Sequence, residues 1–228
     1  IDQSTDTCTN NFCTLNPLAS GGNPTFSEGN LKLTRASGDG TSQKTTFSTI
    51  AASSGKWYAE VKIDSVGSNG LIIGFVNVNK SNLPNTNLGT GEDDFSAGIY
   101  SNGGPIFHTS GTTFATVGSY SADDILQLAM DIDNGYLYWG KNGTYLNSAD
   151  PTSGSSGTGG LALSNLTSGD TYTFAIAIRN NATIQMNYGS PPFSISSGNS
   201  DAEGFGNFEY AVPSGYFALC TKNLAEYG

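Results

Sequence analysis

Few residues in this chain combine the types and spacing that chemistry needs. His108 is the single histidine. A Ser-His-Asp arrangement would have to run through it, yet no Gly-x-Ser-x-Gly elbow accompanies it, and a three-histidine metal site is excluded by count. A structural histidine at the end of a strand is the plainer reading. Glu92-Asp93-Asp94 is the densest acidic cluster. Such carboxylates can chelate Ca²⁺ together with carbonyl oxygens, or act as a pair in glycoside hydrolysis. A solvated loop beside a strand is again the plainer expectation. Asp131-Ile-Asp-Asn-Gly135 superficially suggests a calcium loop. It lacks the alternating ligand spacing and the twelfth-position Glu, so it reads as a turn.

Cys8, Cys13 and Cys220 form no even disulfide framework and match no zinc spacing. A Cys8–Cys13 pair, or either with Cys220, stays open, and three free thiols are expected. Three Asn-x-Thr triplets, at Asn142, Asn165 and Asn181, matter only in a secretory pathway. Tyr58, Tyr136 and Tyr138 share sheet faces, where exposed rings would suit sugar stacking and covered rings would serve packing. No cofactor motif is present.

The elements that must position these residues are short strands. In Ile125–Ile132, Leu126, Leu128, Met130 and Ile132 share one face; in the following arm Leu137 and Trp139 oppose Tyr136 and Tyr138. Asn134-Gly135 between them predicts a tight hairpin turn, and a second Asn-Gly, at 142–143, ends the arm. A helix after Ser121-Ala-Asp-Asp124 also fits the spacing, but the Asn-Gly and the aromatic arm favour strands. Lys56–Asp64 alternates, with Trp57, Ala59, Val61 and Ile63 predicted dry and Lys56, Tyr58, Glu60 and Lys62 predicted wet. Leu71–Val78 is apolar on both faces. Further strands are expected at 30–35, 45–49, 96–100 and 105–108, the last two around Ser101-Asn-Gly-Gly104. Tyr172–Arg179 and Thr183–Tyr188 read as a closing hairpin across Asn180-Asn181. Segments 79–90 and 151–160 read as mobile loops.

Composition bounds the rest. The 228 residues carry only 12% charged side chains, 30 glycines and 23 Phe plus Tyr, a turn-rich all-β composition with enough aromatic area for a core. Nine basic against nineteen acidic residues give a net charge of −10, which argues against nucleic acid and anionic membrane as partners. The longest apolar run, Leu71–Val76, is too short for a bilayer span. No signal-peptide pattern opens the chain, and Ile1 leaves processing or fragmentation open.

In order, Gly55-Lys-Trp-Tyr-Ala-Glu-Val, Ile73-Gly-Phe, Ala97-Gly-Ile-Tyr100, the Asp124–Gly143 hairpin and Ile184-Gln-Met-Asn-Tyr-Gly189 resemble the strands of SPRY domains. That resemblance implies an antiparallel concanavalin-like β-sandwich over residues 26–220. A packing arm (1–25, through Phe12, Leu15 and Leu18) and a tail (221–228) flank it. It also implies a non-enzymatic binding role through loops at 79–90, 92–94, 101–104 and 119–123. The candidate contacts are Glu92, Asp93, Asp94, Tyr100, Asn102, His108, Tyr120 and Asp123. Asp6–Pro17 and Val212–Leu224 further resemble segments of bacteriophage virion proteins. This implies a tail-fibre or appendage domain on the particle surface, made in the host cytoplasm. Its partners would be a host-surface glycan or protein and other virion proteins, with a homo-oligomer open. The alternatives are a purely structural decoration or spacer and a peptide-binding adaptor.

Overall fold

Alternation of apolar and polar residues builds two packed sheets in this computed structural model, which describes residues 6–36, 43–68, 70–79, 94–166 and 169–228. The first sheet runs in the order β1 (Leu15–Ser20), β4 (Lys44–Ser48), β14 (Tyr172–Ile178), β6 (Ile72–Asn77), β7 (Ser96–Tyr100), β8 (Pro105–His108) and β9 (Thr112–Thr116). The second runs β12 (Thr144–Tyr145), β11 (Tyr136–Lys141), β10 (Ile125–Asp131), β5 (Lys56–Val66), β15 (Ala182–Asn187), β3 (Lys32–Arg35) and β2 (Thr25–Ser27). To it are added β13 (Leu161–Ala162) on β11 and β16 (Phe217–Ala218), which lies parallel to β5. Every other pairing is antiparallel, and the last residues, Thr221–Tyr227, form helix α1.

The dry faces meet as the alternation predicts. Trp57, Ala59, Val61 and Ile63 of β5 and Leu126, Leu128 and Met130 of β10 are fully buried against Ile73, Phe75, Phe174 and Ile176. Each such aliphatic or aromatic side chain contributes about 1.5–3 kcal/mol relative to exposure. Phe75 meets Trp139 edge-on at 5.1 Å between ring centroids, and the Trp139 indole N–H donates to the Ile73 carbonyl at 3.0 Å. That bond ties the two sheets together across the core.

Several expectations are corrected. The β10–β11 register ends at Asp131 and Tyr136, so the turn has four residues and of its Asn-Gly pair only Gly135 has a positive φ. The Asp131 carboxylate accepts the Asn134 N–H at 2.9 Å, which favours this wider turn. The two-residue turn is Asn142-Gly143, at φ 50° and 85°, joining β11 to β12. Strands β14 and β15 are not a hairpin. β14 is buried on both faces and flanked by β4 and β6, while β15 pairs β3 and β5 in the other sheet. Their predicted inward residues therefore face each other across the core, with the Phe174 and Tyr188 rings 6.0 Å apart.

Leu15 is buried, but β1 arches between its two pairings with β4 and leaves Leu18 97% exposed. Residues 151–160 are a hydrogen-bonded loop rather than a loose insertion. Asp150 accepts from the N–H of Thr152, and its own N–H donates to the Thr158 carbonyl. The face of β5 predicted wet is dry at Tyr58 and Glu60, both 0% exposed, because the segment approaching β16 crosses it as a strap. Phe208 of the strap meets Tyr58 edge-on at 5.0 Å.

Candidate functional site: a loop surface at one end of the sandwich

Of the eight candidate contacts, the six described do not form one surface. β7 starts beside Asp94 and ends beside the 101–104 turn, so its five residues hold the two groups about 15 Å apart. Asp94 is exposed at the starting end, where His108 pairs with Ala97. Asn79 donates to Asp170 at 2.6 Å at that same end. Partial burial lowers the pKa of His108, which is therefore neutral at pH 7. Glu92 and Asp93, with most of the 79–90 segment, lie outside the described residues.

Tyr100, Asn102, Tyr120 and Asp123 gather at the other end, where short turns are locked by specific bonds. The Ser101–Gly104 turn joins β7 to β8, and its Gly103 N–H donates to the Ser119 hydroxyl at 3.0 Å. Gly104 has φ 69°, and a Cβ there would sit 1.9 Å from the Gly118 carbonyl oxygen. Only glycine permits this approach. Lys141 donates to the Ser119 carbonyl at 2.9 Å. Asp124 accepts from the Ser121 N–H at 2.9 Å and from the Asn142 amide at 2.6 Å, while Asn142 accepts the Ile125 N–H at 2.9 Å.

Within this frame Asn102 and Asp123 are exposed, Tyr100 is half-buried, and Tyr120 is buried. Tyr120 donates its hydroxyl to the Leu71 carbonyl at 2.6 Å, so it supports the surface from beneath and does not face a partner. Asn142 belongs to the same surface, and the strap residue Tyr210 borders it, its ring against Gly143. The Asn-Gly pair marked that turn in the sequence; nothing local marked Tyr210, which arrives from the far end of the chain.

The buried carboxylates have other work. Glu60 accepts the Tyr210 N–H (2.8 Å) and Tyr58 hydroxyl (3.0 Å) on one oxygen, and the Glu209 N–H (2.9 Å) and Asn187 amide (3.2 Å) on the other. Burial still pushes its pKa up against those four bonds. Asp201 accepts the N–H groups of Glu203, Phe205 and Ala218 and the Asn223 amide, at 2.7–3.0 Å. Asp131 pairs with Lys56 at 2.9 Å. These acids fasten a strap and a turn. The tyrosine platform is covered too: Tyr58 and Tyr138 are buried and Tyr136 is half-buried, its ring against Gly157, so this face offers no stacking surface for a sugar. The three cysteines are free, Cys8 exposed and Cys13 and Cys220 buried.

Two segments near opposite ends of the chain meet at a seam. The N–H of Cys13 donates to the Leu219 carbonyl at 2.9 Å, and the N–H of Thr221 donates to the Asn11 carbonyl at 3.0 Å. Among the described residues no group of three or more His, Cys, Asp and Glu is placed to hold a metal, and no helix is long and apolar enough to cross a membrane.

A search of curated proteins gave no match. Among solved structures, the fold is similar to the PSpry domain of TRIM65 at TM-score 0.57 and 14% identity, covering 77% of this chain and 92% of that one. It is also similar to the SPRY domain of human HERC1 at TM-score 0.54 and 14% identity, covering 75% and 96%. The SPRY domain model matches residues 56–191, from the first residue of β5 to just past the end of β15. That span is more than half of the chain and holds the Asp124–Gly143 hairpin and the loop end, so the chain belongs to the SPRY family.

Proposed function

We propose that this chain is a non-enzymatic recognition module that docks a protein partner on the end formed by residues 101–104, 118–124 and 142–143. The observation that carries this reading is the cross-bracing of three turns around Asp124, Asn142 and Ser119, which holds exposed Asn102 and Asp123 on a rigid sheet frame. Pre-ordered loops lose little entropy on binding, and substitutions at their tips leave the core intact. Use of Glu60, Asp131 and Asp201 as structural acceptors supports a role without catalysis.

The setting we propose is a phage appendage facing a host surface. It rests on the terminal segments resembling virion proteins, and the packing of those segments into one seam fits their acting together. A second reading, an adaptor for a peptide, is favoured by membership of the SPRY family. Binding of the labelled chain to a panel of bacterial cells and to peptide arrays tests both. Retention on cells, lost in Asp123→Lys, supports the appendage; retention on peptides alone supports the adaptor. Binding to either that survives both Asn102→Trp and Asp123→Lys contradicts the loop-end assignment.

A further inference from the structure

The seam between the chain ends borders a groove of about 390 Å³, and none of its lining residues belongs to the loop end. Its walls include the half-buried rings of Phe12 and Phe205, with Thr9, Asn10, Asn207 and Lys222 between them. Glycines make the shape. A Cβ at Gly189 would lie 2.3 Å from the Phe12 ring, and one at Gly206 would lie 2.4 Å from the Phe208 ring. The backbone of Asn207 is already engaged, its N–H donating to the Gly189 carbonyl and its carbonyl accepting the Asn187 amide, both at 2.9 Å. The groove presents polar side chains beside the Phe12 and Phe205 rings, among them the exposed amide of Asn207 and that of Asn10, whose Oδ1 accepts the Lys222 N–H at 3.2 Å. Asn10, only 7% exposed, is among its lining residues.

We propose that this groove binds an uncharged saccharide. Amides and hydroxyls both donate and accept, as sugar hydroxyls do, while the C–H face of a pyranose suits the phenyl rings. The volume falls in the range of small-ligand pockets, whose apolar walls carry a few placed polar groups. Among the described residues no carboxylate lines the groove; Glu203 and Glu226 line the adjoining depression. Lys222, 5.5 Å from the Phe205 ring centre, is the single cation among the described lining residues and serves as a hydroxyl donor. A neutral ligand also escapes repulsion by a chain of net charge −10. This site stands independently of the loop end.

The test is a ¹H–¹⁵N titration of the whole chain with methyl β-glucoside, methyl β-galactoside and N-acetylglucosamine, with glucuronate as the charged comparator. The expected result is saturable shifts at the amides of Gly204, Gly206 and Asn207 with at least one uncharged sugar. Affinity should be unchanged between low and high salt, because no ion pair forms. Phe205→Ala and Asn207→Ala should each weaken it about tenfold, the loss of one good contact, in chains whose dispersed amide spectra show them folded. Asp123→Lys should leave it intact. The proposal is overturned if no uncharged sugar saturates the shifts, if saturation survives both groove variants, or if glucuronate alone binds and fades with salt.

Discussion

The strap over β5 and the loop end beside β7 are built from the same residue types and use them in opposite ways. At the strap, Glu60 and Asp201 are buried and each accepts four hydrogen bonds that pin a long irregular segment. At the loop end, Asp124 braces neighbouring turns from the surface while Asp123 one residue earlier points to solvent. A carboxylate under the strap is therefore a stability element, and a carboxylate at the loop tip is free for a partner. The contrast makes stability and binding separable by mutation.

The strongest break is Glu60→Ala. It strands two backbone N–H groups, a tyrosine hydroxyl and an amide in a dry interface, and should lower the unfolding free energy by about 3 kcal/mol or more. Urea unfolding with the slope held constant checks this, and a loss below about 1 kcal/mol would dissolve the contrast. Phe208→Ala should cost about 3 kcal/mol by opening a cavity against Tyr58. Its mark should be local, with faster amide exchange at Glu209 and Tyr210 ahead of the core strands.

The pH dependence sharpens the same point. Because burial raises the Glu60 pKa above its ordinary 4.5, the folded chain holds that proton more tightly than the unfolded chain. The contribution is present in full below about 4.5 and is lost as pH rises through the folded value. Unfolding free energies in urea from pH 4 to 8 should fall more steeply with rising pH for the native chain than for Glu60→Gln, whose difference isolates this one group. At the loop end, Gly104→Ala should cost about 2 kcal/mol or more, since φ 69° and the Gly118 carbonyl both oppose a Cβ. It should also weaken partner binding by shifting the turn.

How much of this was legible depended on whether the cause was local. Strands β7 and β8 have the predicted limits, and the dry face of β5 follows from alternation alone. The wet face failed at Tyr58 and Glu60 because their cover comes from residues about 150 positions later, which no period along β5 encodes. The supposed closing hairpin failed for a related reason. Both arms alternate as a hairpin would, yet with both edges of β14 taken by β4 and β6, β15 is left to pair in the other sheet. Among the candidate residues, turn chemistry marked the turn that holds Asn102, while Asp123 entered only through the family resemblance. The burial of Tyr120 and the separation of Asp94 and His108 from them required the direction of β7, a property of the whole sheet.

The smallest expected change in stability belongs to Asp123→Lys, and it gives the most direct test of the account. Asp123 is exposed but holds φ 70°, which Asp adopts more readily than Lys, so the unfolding free energy should fall by no more than about 1 kcal/mol. Measured beside it, binding of the labelled chain to its cellular or peptide partner should be lost. Meanwhile Phe208→Ala, assayed well below its own melting point, should retain that binding despite lower stability. The opposite pattern, with binding preserved in Asp123→Lys and abolished in a still-folded Phe208→Ala, would place recognition on the strap and contradict the loop-end assignment.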